Sequence, residues 1–433
     1  MPKKSAKRER DVAPQWAWTE PSVWTERMLN TLDKGVKGGK WYSLMDKVYA
    51  AETLTAGWRQ VKRNGSSAGV DGQTIRDFER SAGRQLRWLE ERLREGSYEP
   101  QAVRRVHIPK PGSSELRPLG IPTVRDRIVQ TALRYVIEPI FEKKFSECSH
   151  GFRPKRSTKD ALRKVQAYLD AGYNWVVDVD IQRYFDTIPH RLLMVEIEKE
   201  ISDRSVLALI EAYLRQGVLE GTKSYAALEQ GTPQGGVISP LLANVYLHPV
   251  DAAMEADGYA MVRYADDCVV MCRSQDEATR ALGRIRELME SRQLTLHPMK
   301  TKLVEATAPG GFDFLGYHFE QGRRYPRKKS LRKLKDSIRE QTRRRNGYSL
   351  ARIIEMINPI LRGWFAYFKH SNSYAFKLVD GWVRRRLRTI LRTRAHRRGL
   401  GRGADHQRWP NAYFQQLGLF TMVEAHRLLI QSR

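Results

Sequence analysis

The stretch MVRYADDCVVMC (261–272) sets two adjacent carboxylates, Asp266 and Asp267, between two runs of β-forming residues. Val262, Tyr264, Val269 and Val270 favour strand, and Asp tolerates a tight bend. The segment therefore predicts two short antiparallel strands with the acid pair at or near their turn. Neighbouring unpaired carboxylates repel and raise each other's pKa. A divalent cation removes that conflict, and hard oxygen ligands suit magnesium, which commonly binds through one or two carboxylates plus substrate phosphates. An isolated Asp-Asp is more often a polar turn, so the chemistry must be argued from other stretches as well.

Working outward, WVVDVDIQRYFD (175–186) alternates Trp175, Val177, Val179 and Ile181 with Val176, Asp178 and Asp180. A core strand would carry two acids on one face. Burying unpaired carboxylates is costly, so that face needs a metal, a cation or a wet cleft. Between the two acidic stretches lies QGTPQGGVISPLLANVYL (230–247). Gly231, Gly235 and Gly236 allow close backbone approach, with Gln234 between them. Pro240 suits the first turn of the apolar helix that follows. No GK[ST] follows, so the loop is not a P-loop.

The chain has 433 residues, with 76 Lys+Arg against 49 Asp+Glu and a formal net charge of +27. That balance calls for a polyanionic partner, and nucleic acid is the reading favoured over an anionic membrane surface. No apolar run reaches about 18 residues, and the N-terminus MPKKSAKRERD lacks a signal-peptide core. The expectation is a cytoplasmic protein with no membrane association, located at the nucleoid when bound to DNA. Cys148, Cys268 and Cys272 form no CxxC pair, so neither a zinc site nor a disulfide framework is indicated.

Residues 1–40 are basic and low in aliphatics, and read as a loosely ordered arm that Trp16, Trp18 and Trp24 anchor in part. A helix is expected over 77–95 on the spacing of Phe78, Leu86, Leu89 and Leu93. In VRRVHIPKPGSSELRPLGIPTVR, over 103–125, a strand enters a Pro/Gly/Ser turn and returns, with Lys110 and Arg117 flanking it as two cations for phosphates. CSHGFRPKRSTKD (148–160) is basic, and its Arg153, Lys155 and Arg156 could meet a nucleic-acid backbone. FDFLGYHF (312–319) reads as an aromatic strand with a close approach at Gly316. From 321 to 400 there are 24 Lys/Arg against four Asp/Glu, which marks a second functional domain. Two apolar stripes run through it, one from Ile353 to Phe368 and one from Leu378 to Leu391. Arg384, Arg385, Arg388 and Arg392 ride beside the second as a candidate nucleic-acid surface. The tail, 401–433, reads as a small helical cap.

An acid-bearing strand near 180, a Gly-rich loop with Gln234 and an acid-tipped hairpin near 266 together fit two-metal nucleotidyl transfer. Such a site takes carboxylates from separate strands to hold two magnesium ions about 3.5–4 Å apart.

At this point the chain resembles a known family. GIPTVRDRIVQ, HGFRPKRST, DIQRYFD, GTPQGGVISPLLANVYL, YADD and FDFLGY stand in the order of the reverse transcriptase blocks. GTPQGGVISP with YADD looks like the group II intron-encoded reverse transcriptases, and LRGWFAYFK resembles their maturase-specific domain. The resemblance spans roughly 50–430. It implies an α+β right-hand fold of fingers, palm and thumb. In residue numbers that gives a basic arm (1–40), fingers and palm with an N-terminal extension (41–320), a thumb/maturase domain (321–400), and a helical tail that is read as a DNA-binding remnant (401–433).

The implied activity is RNA-directed DNA synthesis with intron RNA binding, splicing and retrohoming. The implied partners are group II intron RNA, a DNA target and primer, and dNTPs. The resemblance assigns both Mg2+ ions to Asp180, Asp266 and Asp267, with Asp178 as an outer or salt-bridged acid. It assigns the incoming nucleotide to Lys110, Arg117, Gln234 and the sugar-gating ring of Phe185, and the primer end to Leu315 and Gly316. The family's C-terminal endonuclease is not recognisable, since no CxxC pair follows. Two rival readings are a polymerase-inactive splicing cofactor and a domesticated defence or mutagenic reverse transcriptase.

Overall fold

In the computed structural model, residues 14–109, 116–221, 223–225, 230–343, 347–397, 399–401 and 403–431 are described. Strands β1 (Val103–Pro109) and β2 (Leu116–Ile121) pair antiparallel, with Ile108 opposite Arg117. The acid-bearing run forms β3 (Trp175–Asp180). Two short strands, β4 (Val218–Glu220) and β5 (Lys223–Tyr225), extend the first sheet in the order β2-β1-β4-β5. β6 (Ala260–Tyr264), β7 (Asp267–Cys272) and β8 (Lys302–Glu305) complete a second sheet, ordered β6-β7-β3-β8. A third sheet takes the order β11-β10-β9 from β9 (Phe312–Phe314), β10 (Tyr317–Glu320) and β11 (Arg323–Pro326).

Among the described residues, 14–109 with 116–303 form one compact unit and 304–431 another. The first unit is built around two apolar helices, Val124–Glu142 and Ser239–Ala256, which bury side chains all round and so lie inside it. Thr123 caps the first by accepting from the Asp126 amide at 3.1 Å. The second begins at Ser239, with Pro240 in its first turn as its fixed φ allows.

Residues 14–40 are less of an arm than their composition suggested. Trp24 is fully buried and its indole Nε1 donates to the Tyr135 carbonyl at 2.8 Å. The helix expected over 77–95 is broken at Ser81 into Ile75–Arg80 and Ala82–Arg94.

The second unit wraps the helices Lys328–Gln341, Leu350–Phe368 and Ser373–Arg394 around a core that includes Ile353, Ile357, Phe376, Val383 and Leu387. Pro359 sits inside the second helix without ending it. Leu378, assigned to the apolar stripe, is instead 57% exposed.

The units part at 303/304, upstream of the 320/321 boundary that composition suggested. FDFLGYHF is a hairpin rather than one strand, and its Tyr317 hydroxyl donates to the Tyr367 carbonyl at 2.6 Å, inside the second unit. The tail belongs to that unit too. Phe414 is fully buried in its core, and Asp380 accepts from the Met422 and Val423 amides at 3.1 and 3.0 Å.

Among the described residues, no helix is long and apolar enough to cross a membrane. All three cysteines are buried and free.

Candidate active site

Register in the second sheet decides which acids meet. Asp180, the last residue of β3, lies directly opposite Asp267, the first of β7. Directly opposed residues share a face with Cβ atoms roughly 4.5–5.5 Å apart, where like charges repel. Tyr264 flanks Asp267 from β6, so Ala265 and Asp266 form a two-residue loop at the hairpin tip. Burial pushes the Asp266 carboxyl up, and the negative charge of Asp180 adds to it. Its own backbone N–H and nearby Arg263 act in the opposite sense.

This is a donor set in electrostatic tension, which suits a hard divalent cation. Among the described residues, no three acid, His or Cys side chains stand together as a ready-made metal cage. Magnesium, which completes its shell with water and substrate phosphate, does not need one.

The strand residue two before the motif, Asp178, stands 4.0 Å from the Lys302 ammonium. Lys300 Nζ lies 3.3 and 3.4 Å from the two oxygens of Asp180, and its side chain is 59% exposed. Such an exposed pair contributes about 0–1 kcal/mol, little enough for a divalent cation to displace. The backbone of Asp180 is fixed from the same loop: its carbonyl accepts from the His297 amide at 2.8 Å and its amide donates to Thr301 Oγ1 at 3.3 Å.

The Gly-rich loop docks on the segment that follows β3. The Gly231 amide donates to the Ile188 carbonyl at 2.8 Å and the Thr232 amide to the Phe185 carbonyl at 2.7 Å. Gly231 has φ +92°, and a Cβ there would lie 2.9 Å from the Asp186 carbonyl oxygen, so only glycine fits. On the other side, the Gly120 amide in β2 donates to the Gln234 carbonyl at 2.6 Å. Gln234 is half-buried, with Nε2 3.4 Å from Asp186 Oδ1, and lines a cleft of about 510 Å³ with Arg105, Arg183 and Gln216. Phe185 is half-buried, edge-on to Tyr184 at 5.5 Å and to the exposed Phe152 at 6.3 Å. Arg117 is exposed on β2. Lys110 lies outside the described residues.

In the second unit, Leu315 and Gly316 form the tip of the β9–β10 hairpin, with φ +47° and +85°. Both carbonyls are held, Leu315 O by the Tyr367 hydroxyl at 2.7 Å and Gly316 O by the Arg327 amide at 3.0 Å.

Two basic groups depart from expectation. Arg153 is buried and its guanidinium is spent on Glu142 and on the Ser146 and Ser149 carbonyls, so it faces no nucleic acid. Arg388 is 2% exposed, donating to the Trp409 carbonyl at 2.9 Å and to Asn411 Oδ1 at 2.8 Å. Arg392 pairs with Asp405 at 2.8 Å. The outward-facing part of that set is the exposed Arg385 with the half-buried Arg384.

The sequence reading overlooked the support beneath the acid turn. Arg263 and Asp251 are both buried and joined by two bonds, Nε to Oδ1 at 2.7 Å and Nη2 to Oδ2. Arg263 Nη1 also donates to Asn244 Oδ1 at 3.0 Å and to the Ala265 carbonyl at 2.8 Å. A detectable signal existed: one Arg in an apolar strand and one Asp in an apolar helix, each unaffordable to bury without the other.

Comparison with known proteins shows the family. Residues 108–319 match the family model described as Reverse transcriptase (RNA-dependent DNA polymerase), and 331–409 match Group II intron, maturase-specific domain. Protein YkfC of Escherichia coli (strain K12) is 33% identical over 341 residues, covering 70% of this chain and 85% of that one. The group II intron-encoded protein LtrA of Lactococcus lactis subsp. cremoris is 45% identical over 159 residues, covering 37% of this chain but 26% of LtrA. Among solved structures, a partial Cas6-RT-Cas1–Cas2 complex is similar at 25% identity and a TM-score of 0.38, covering 57% of this chain and 41% of that one. Telomerase from Candida albicans is similar at 12% identity and a TM-score of 0.43, covering 73% and 64%. The chain belongs to the group II intron-encoded reverse transcriptase/maturase family, whose members are RNA-directed DNA polymerases of α+β fold.

Proposed function

We propose that this chain copies RNA into DNA at a two-metal centre held by Asp180, Asp266 and Asp267, and that it binds its intron RNA to promote splicing and retrohoming by target-primed reverse transcription. The observation that carries the reading is the direct opposition of Asp180 and Asp267, with Asp266 at the adjoining turn. Magnesium ions bound there would lower the pKa of a primer 3′-hydroxyl and neutralise charge on the triphosphate and leaving pyrophosphate.

The protein's own share is positioning. The 297–301 loop fixes the Asp180 backbone, and the Gly-rich loop sets Gln234 beside the segment that carries Phe185. Phe185 takes the place where a ribose 2′-hydroxyl would project, while Arg117, with Lys110, takes the triphosphate. Leu315 and Gly316 take the primer end. Arg384 and Arg385 take RNA phosphates.

Asp266→Asn or Asp267→Asn is expected to abolish extension of a DNA primer on an RNA template while leaving RNA affinity nearly intact. Primer extension and filter binding on the same preparations test this. Extension retained in either variant refutes the metal assignment.

A further inference from the structure

The turn that carries the acids is held in a conformation that its own sequence disfavours. Of its two loop residues, Ala265 has φ +61° and Asp266 has no positive φ. That pattern matches a type II′ turn, whose first loop position is normally glycine. An alanine there persists only when its surroundings over-determine it.

Those surroundings close into a ring. Arg263 Nη1 donates to the Ala265 carbonyl at 2.8 Å and to Asn244 Oδ1 at 3.0 Å. Asn244 Nδ2 donates to the Gly151 carbonyl at 2.8 Å. Gly151 returns to the turn: a Cβ on it would lie 2.2 Å from the Ala265 nitrogen. Arg263 and Asn244 are each 1% exposed. For stability alone, a buried Arg–Asp pair is often no better than packed apolar side chains. What the guanidinium adds is direction, since a rigid fork can hold Asp251, Asn244 and a turn carbonyl at once, and a lysine cannot.

We propose that Arg263 and Asn244 are positioning residues for nucleotidyl transfer, holding the strained Ala265 turn so that Asp266 and Asp267 meet the metal ions without rearrangement. The proposal rests on the metal reading above.

Single-nucleotide extension from a preformed complex with an RNA template and DNA primer, followed across MgCl2 concentrations, tests it. Asn244→Ala should keep the reaction amplitude and its melting transition. Its rate should fall at least about tenfold and its half-saturating Mg2+ should rise, as expected of misplaced ligands. Adding Ala265→Gly, which makes the turn intrinsically allowed, should restore part of the rate. Arg263→Lys should behave like Asn244→Ala, and if it does not fold, Asn244→Ala carries the test.

An amplitude that falls while rate and Mg2+ dependence stay unchanged would reduce the ring to scaffold and overturn the proposal. So would an unaltered rate. Asp266→Asn run alongside separates the two readings: an active Asp266→Asn sinks the metal assignment, whereas an inactive one beside a fully active Asn244→Ala sinks only the brace.

Discussion

Replacing Arg388 by methionine should destabilise the second unit without touching RNA binding through phosphate contacts. The guanidinium makes two bonds, to the Trp409 carbonyl and Asn411 Oδ1, and its Cζ lies 5.2 Å from the centre of the Phe414 ring. Gly401 closes over its stem, since a Cβ at 401 would lie 2.6 Å from Arg388 Cβ. Hydrogen bonds to a charged group contribute about 1.5–3 kcal/mol each, and the orphaned Trp409 carbonyl adds to the loss. Methionine keeps the apolar stem, which leaves about 3–5 kcal/mol as the expected cost. At about 3 °C per kcal/mol for a unit of this size, the transition that reports residues 304–431 should drop by roughly 10 °C. The assay pairs a thermal melt with RNA binding across salt. For Arg388→Met, the melting point should fall while the log–log salt slope stays fixed. For the exposed Arg385→Ala, stability should hold and the slope should shrink by roughly 0.7–0.9, one phosphate's worth. A salt slope lowered in Arg388→Met at unchanged melting temperature would refute the structural role given to this side chain.

Phe185→Ala should raise ribonucleotide use relative to deoxynucleotide by about tenfold or more, read as the ratio of kcat/KM for the two substrates; an unchanged ratio removes Phe185 from the sugar pocket. Lys300→Ala should leave Mg2+-dependent extension nearly unchanged, because the pair with Asp180 is exposed; a large loss would place the ammonium in the reaction itself. Burial pushes the Glu138 carboxyl from 4.5 to about 7, against the lowering effect of Arg134. Between those values the folded chain holds a proton that the unfolded chain has released, so this contribution is full below about 4.5 and falls as pH rises to about 7. Glu138→Gln should therefore flatten the decline and gain about 3 kcal/mol at pH 8, measured by denaturant melts at pH 5 and 8.

The acids were legible because their pattern is local: period-two alternation puts Asp178 and Asp180 on one face of β3, and the run around 266 announces a hairpin. Both strand identity and the tip position follow from a dozen residues. The fate of Arg388 was not legible, because a basic helix face looks the same whether water or a chain segment covers it. Its partners stand 21 and 23 residues downstream, in a tail with no periodicity strong enough to place. Trp24 was legible as an anchor but its partner was not, since the carbonyl on Tyr135 is 111 residues away. FDFLGYHF reads as a strand because aromatic residues favour strand and Leu rarely takes φ > 0. In the structure Leu315 does take it, at +47°, and folds the segment back on itself.

That last case belongs to a pattern. Among the described residues, three of the eight non-glycine positions with φ > 0, Gln293, Gln321 and His396, lie outside the quoted motifs; the other five are Phe152 and Lys155 in HGFRPKRST, Arg183 in DIQRYFD, Ala265 in YADD and Leu315 in FDFLGY. Each of these five lies in a block that carries the family resemblance, and each contradicts its residue's backbone preference. Local preference and global fold agree over most of a well-folded chain, so disagreements that gather at one kind of place need a cause. Unmet strain would relax by a change of turn; at two of these positions it is opposed by bonds to the turn itself, from Arg263 to the Ala265 carbonyl and from Tyr367 to the Leu315 carbonyl. The blocks are thus defined less by residue type than by backbone held open against its own tendency. It follows that glycine at 265 should stabilise the fold and make the placement of the acid pair depend less on the Arg263 brace.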